Sequence, residues 1–137
     1  YDGLDAGVAA TKIPHAWDGG PQTALLRKQL VAMKDGGTVV IVAPPNPFRC
    51  PPGPYERSCQ IGDYLKNHKP KSKIIILDAK DKFSKQGLFT QAWKKYHGYG
   101  TDNSRIEWIK GAEGGIIEGV DAKTNTIIGG VDEYKAD

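Results

Sequence analysis

The sequence predicts an α/β fold: a Rossmann-like βαβαβ parallel sheet with an appended antiparallel β-meander. Three observations carry that reading. Thr38–Ala43 is a continuously apolar, β-branched run of strand length and Lys73–Asp78, with Ile74–Leu77 at its centre, reads as a second buried strand, as expected of parallel strands covered on both faces. Each is followed by a segment of helical period, and Ile106–Ile109 closes the series as a third short strand, the order expected of parallel βαβ units with right-handed crossovers. Residues 115–120 and 125–128 then flank the polar turn 121–124, which reads as an antiparallel hairpin.

Taken in order, residues 1–20 carry scattered apolar positions and end in Gly19 and Gly20, so they read as an extended connector with an anchoring turn over 13–17. The domain proper spans 21–137. Pro21 suits the start of a helix whose face holds Leu26, Leu30 and Met33, and Gly36 with Gly37 stops it. After the first strand, Pro54 opens a second helix, with Ile61 and Leu65 on its apolar face and Pro70 blocking continuation past His68. Phe89, Ala92, Trp93 and Tyr96 follow i, i+3, i+4, i+7 spacing, so a third helix is expected, with Ser84 as N-cap and Gly98 as stop. The terminal Glu133–Asp137 stretch reads as the edge of a strand.

At 137 residues, 39% hydrophobic and 26% charged, the chain has the size and composition of one globular domain. No apolar run approaches the roughly 18 to 20 residues of a membrane span. It starts at Tyr1 rather than a methionine, and we read it as a fragment of a longer chain. Two cysteines are too few for a disulfide framework. His15, His68 and His97 are scattered, with no metal-ligand spacing and hence no metal site expected. Trp17, Trp93 and Trp108 sit among apolar residues and read as core. The net charge of +3 is uneven: residues 51–97 hold ten Lys and Arg against four Asp and Glu, and residues 68–73 are the densest basic cluster. That cluster reads as a solvated turn. Its rival reading is a patch for nucleic acid or an acidic partner.

The turn after the first strand is where a dinucleotide fold places glycines, so that backbone amides approach a pyrophosphate. Here it runs Pro44-Pro45-Asn46-Pro47-Phe48-Arg49-Cys50-Pro51-Pro52-Gly53-Pro54, and prolines have no amide to offer. No NAD is expected. Asp78, about where a ribose-binding acid would lie, reads as a helix-capping or solvated carboxylate. Cys50 stands at the carboxyl end of a parallel strand and just before a helix, where the dipole and Arg49 favour a thiolate, the form that attacks sulfur. The residues leave three readings of Cys50 open: a small buried side chain, half of a disulfide, or a nucleophile preorganised by stiff neighbours. Glu56, in the first helical turn, is either a carboxylate held by the dipole or a general base for an incoming thiol or sulfide. Arg57 reads as a solvated helix charge in preference to a substrate anchor. A Cys50–Cys59 bond requires the loop to fold back until the Cα atoms lie within ~7 Å.

The runs GPQTALLRKQL (20–30), DGGTVVIVAPPNPFRCPPGPYERSCQIGDYLKNHKPKSKIIILDAKDKFSKQGLFTQAW (35–93) and IEWI (106–109) resemble the flavin-binding subunits of flavocytochrome c sulfide dehydrogenases, chiefly through PFRCPPGPYER (47–57). The resemblance implies a flavoprotein whose FAD domain is interrupted by an NAD-like domain, and that this chain is that second domain, with residues 1–20 leading in from the FAD domain. It implies FAD held outside these residues, a cytochrome c partner carrying haem c, and a periplasmic location. It also implies that Cys50 forms a redox-active disulfide with a cysteine later in the subunit, and that Glu56 moves protons beside it. Hydrosulfide then attacks the disulfide, and electrons pass to flavin and haem. On this reading the chain alone is inactive. Two other readings are a sulfide:quinone oxidoreductase-type flavoprotein and a non-catalytic module docking an acidic partner.

Overall fold

The computed structural model describes residues 1–17 and 19–137. Its elements are α1 (Ala6–Thr11), α2 (Pro21–Ala32), β1 (Thr38–Ala43), α3 (Gly53–His68), β2 (Lys73–Asp78), α4 (Gln86–His97), β3 (Ile106–Ile109), β4 (Ile117–Asp121), β5 (Thr126–Gly129) and β6 (Glu133–Lys135). β1, β2 and β3 form a parallel sheet in that order, with Val40 opposite Ile75 and Ile76 opposite Trp108. β4, β5 and β6 form a separate antiparallel meander. The predicted α/β class is the observed one.

Side chains alternate across the parallel sheet, and each face has its own cover. Ile74, Ile76 and Ile106 face Leu30 and Met33 at the end of α2, Ile61 and Leu65 of α3 and Trp93 of α4. Both crossover helices therefore lie on one side, as crossovers of the same hand between successive neighbours require. Ile75 and Leu77 point the other way, onto Ile117, Val120 and Ile127 of the meander. Central β2 is buried almost throughout, as its unbroken apolar run predicts. β1 is not: Thr38–Val42 are half-buried, because β1 is an outer strand of the sheet. At its start, the Asp137 N–H donates to the Thr38 carbonyl and the Thr38 N–H donates to the Asp137 carboxylate.

The segment ahead of α2 differs from the expected extended connector. Asp5 caps α1 by accepting the Val8 N–H at 2.8 Å, while Leu4 and Ile13 pack on the meander side of the sheet. The start of α4 also differs. Lys85, in the left-handed conformation (φ 60°), is the N-cap rather than Ser84, and the Gln86 side chain reaches back to the Phe83 N–H. The buried stripe of α4 runs through Phe89, Trp93 and His97, leaving Tyr96 52% exposed. Gly98, also left-handed, ends that helix as expected.

The basic cluster over 68–73 is largely committed within the fold. Lys69 donates to the carbonyls of Val31 and Met33, which close the end of α2, and Lys73 pairs with Glu107 at 3.2 Å. Among the described residues, no helix is long and apolar enough to cross a membrane.

Candidate functional site

The loop leaving β1 and the first turn of α3 form the carboxyl edge of the parallel sheet, where sites in such folds are built. Pro51, Pro52 and Pro54 have no amide hydrogen. The remaining amides from Pro51 through Glu56 are used internally: Gly53 N–H bonds the Cys50 carbonyl at 2.8 Å, and those of Tyr55 and Glu56 bond the Pro52 carbonyl. No backbone donor between Pro51 and Glu56 is therefore left to cradle a diphosphate at the first turn of α3.

Asp78 ends β2 at the neighbouring position, and it is fully buried rather than capping a helix or solvated. Its carboxylate accepts from the Tyr55 hydroxyl at 2.5 Å and the Trp108 indole at 3.0 Å, and it pairs with the Lys80 ammonium at 2.6 Å. The Lys80 backbone N–H adds a fourth bond. With these donors its lone pairs are spent, and no ribose hydroxyl can reach it. Burial first, then the hydrogen bond to Asp78 and its charge, push the Tyr55 phenol well above its ordinary pKa, so it remains a neutral donor. Lys80 also donates to the Pro44 carbonyl at 2.8 Å and lies over the Phe48 ring. The proline loop is thereby tied at its root to the core.

Cys50 stands at the far end of that loop, exposed, as a free thiol and with a left-handed backbone (φ 57°). Cys59 contrasts with it. It is half-buried, accepts from the Trp93 indole N–H at 3.2 Å, and its thiol is pushed up chiefly by burial. The two cysteines are not joined. Glu56 is exposed in the first turn of α3, and its charge acts on the Cys59 thiol, further raising its pKa. Among the described residues no hydrogen bond links Glu56 to Cys50, so the two predicted site residues share the start of α3 without a direct bond.

Arg57 is neither the solvated helix charge nor the substrate anchor that the sequence offered. Its guanidinium donates to the carbonyls of His15 at 3.1 Å and Ala16 at 2.8 Å, pinning the segment ahead of α2 onto α3. Its acceptors are backbone carbonyls 41 and 42 residues away, which no pattern in the sequence marks. Trp17 also departs from expectation: it is 44% exposed and lies on Gly53 instead of in the core. Beside it, along the outer edge of β1, runs a mostly apolar cleft of about 310 Å³, lined among others by Ile13, Leu26, Val40 and Ile61. Among the described residues no three His, Cys, Asp or Glu side chains gather as a metal ion requires.

The family model described as "Sulfide dehydrogenase (flavocytochrome c) flavoprotein chain, central" matches residues 23–137, a span that holds both sheets, the proline loop and both cysteines.

Proposed function

Because the chain belongs to the family of flavocytochrome c sulfide dehydrogenase flavoprotein chains, as their central part, we propose that it carries the sulfur-reacting half of a sulfide oxidoreductase, with Cys50 as the reacting sulfur. The observation that supports this is the accessibility of Cys50 on a loop rooted in the core, whereas Cys59 is half-buried and hydrogen-bonded. In the intact subunit Cys50 forms a disulfide with a cysteine outside these residues. The lone pair of hydrosulfide attacks one sulfur; a new S–S bond forms, the old one breaks, and its electron pair leaves on the displaced thiolate. The products are a persulfide and a thiolate. Glu56, exposed one turn into α3, takes the proton released from the bound sulfur.

The flavin named by the family description supplies the next electron acceptor, and a haem-bearing cytochrome c partner the one after. The first turn of α3 lacks the amides to hold the flavin's diphosphate, so none of its residues is assigned to that group. We place this chemistry in the periplasm on the resemblance of PFRCPPGPYER (47–57) alone. The 137-residue chain by itself is expected to reduce no cytochrome c with sulfide.

Sulfide-dependent cytochrome c reduction by the intact flavoprotein with its cytochrome partner tests the proposal. Cys50→Ser is expected to abolish it, Cys59→Ser to leave it in place, and Glu56→Gln to slow it by about 10²-fold. Full turnover in Cys50→Ser sinks the assignment.

A further inference from the structure

Residues 15–17 are held by more bonds than a passing connector needs. Ala16 is 2% exposed and left-handed (φ 51°), with its N–H on the Gln22 side chain at 3.0 Å and its carbonyl on Arg57. The His15 carbonyl takes the other arm of the same guanidinium, and the His15 ring bonds both Gln22 and the Trp17 N–H. A bidentate guanidinium fixes direction as well as distance. What this strap delivers is the Trp17 indole, with the Arg57 guanidinium 5.5 Å from its ring centre and Gly53 against its ring edge.

Gly53 locates the indole relative to the thiol. A Cβ at that glycine would stand 2.3 Å from Trp17 Cη2 and 3.5 Å from Cys50 Sγ, so ring edge and sulfur are no more than about 6 Å apart. That is the range of sulfur–aromatic contacts. The left-handed turn at Cys50 and the Gly53 N–H bond to its carbonyl fix the other side of the gap. The bonds hold the backbone that carries the indole, and the ring itself, 44% exposed, gives little to the core and lies against Arg57 and Gly53 next to the thiol.

We propose that Trp17 is the wall of the Cys50 sulfur site and sets the size of the reagent that reaches it, and that Arg57 is the positioning residue that holds this wall. The inference rests on Cys50 being the reacting sulfur, and it deepens that reading: the site admits a small sulfur nucleophile and excludes thiols the size of a peptide. Gly53 is part of the same device, because only a residue without a Cβ lets the indole lie there.

The test compares the rates at which a small reagent, methyl methanethiosulfonate, and a bulky aromatic disulfide, dithiobis(nitrobenzoate), modify Cys50 in the 137-residue chain, read site by site by mass spectrometry. Trp17→Ala is expected to shift the small-to-bulky rate ratio toward the bulky reagent by up to about tenfold, with Cys59 unchanged, and Trp17→Phe to keep most of the ratio. Arg57→Ala and Gly53→Ala, which leave Trp17 in the sequence but release or displace it, are expected to act like Trp17→Ala. Circular dichroism monitors the fold, and Trp17→Phe and Arg57→Lys provide milder variants if a larger change unfolds the chain. An unaltered ratio in folded Trp17→Ala overturns the wall, and an unaltered ratio in Arg57→Ala alone overturns the positioning role. The assay contains neither sulfide nor flavin, so its failure leaves the sulfide reading standing. Full sulfide turnover in Cys50→Ser would remove that reading without touching the ratio.

Discussion

The turns that follow β1 and β2 occupy equivalent places at the carboxyl edge of the same parallel sheet, yet they use their reactive residues in opposite ways. Asp78, the last residue of β2 before the second turn, is buried, ion-paired to Lys80 and bonded to Tyr55 and Trp108. Cys50 of the first is exposed, a free thiol on a left-handed backbone. A position at the end of a parallel strand thus names candidates without ranking them. Spent hydrogen-bonding capacity does the ranking: the carboxylate holds the fold together, and the thiol remains available for chemistry.

The comparison is broken most severely by Asp78→Ala. It leaves the Lys80 ammonium, whose side chain is 9% exposed, without its counter-charge, together with a buried hydroxyl and an indole N–H without an acceptor. A stability loss of about 3–5 kcal/mol is expected in urea denaturation. Tyr55→Phe removes one bond to the same charge and keeps the ring stacked on Phe83, so about 1.5–3 kcal/mol is expected from the same measurement. If Asp78→Ala were tolerated as well as a Cys50 variant, the distinction between the turns would fail.

A pH series probes the helix layer behind both turns. His97 is 6% exposed; burial first, then the charges of Arg105 and Lys66, hold its pKa below the ordinary 6.5. The unfolded chain therefore takes up a proton before the folded one, and stability falls as pH drops through 6.5 toward the lower folded value. Denaturation midpoints measured between neutral pH and pH 5 should show that decline, and His97→Gln should flatten it.

The smallest effect belongs to the exposed turn. Cys50→Ser is expected to change stability by no more than about 0.5 kcal/mol, because the side chain carries little of the packing. Cys50→Gly, better suited to φ 57°, is expected to stabilise by up to about 1 kcal/mol while removing the thiol. A thermal melt separates the two. Stabilisation by glycine would mark Cys50 as a residue held at some cost to the fold.

Much of the fold was legible in the chain. The bounds of β1, β2 and β3 are the expected ones: β1 and β2 hold β-branched runs, and β3 is set off by Arg105 and Lys110. α3 and α4 followed from periodicity between Pro54 and Pro70 and ahead of Gly98. The start of α4 fell one residue from the expected cap, since a left-handed Lys85 carries no cue in its side chain. Helix α1 was missed because it is a six-residue segment with no buried residue of its own, so it leaves no apolar period; its flanks Leu4 and Ile13 are what pack on the meander side.

Neighbours along the chain were enough to specify the strands, the main helices and a turn in which prolines replace most of the glycines and amides of a phosphate loop. Tertiary structure alone decided that β1 is half-exposed, that Asp78 is sealed in an ion pair, and that Arg57 straps Trp17 beside Cys50. The partners in those arrangements lie 23, 30 and 42 residues apart for Tyr55 with Asp78, Trp108 with Asp78, and Arg57 with His15. Local periodicity reports how buried a residue is on average. Which donor meets which acceptor is fixed only when the sheet brings distant segments to one edge.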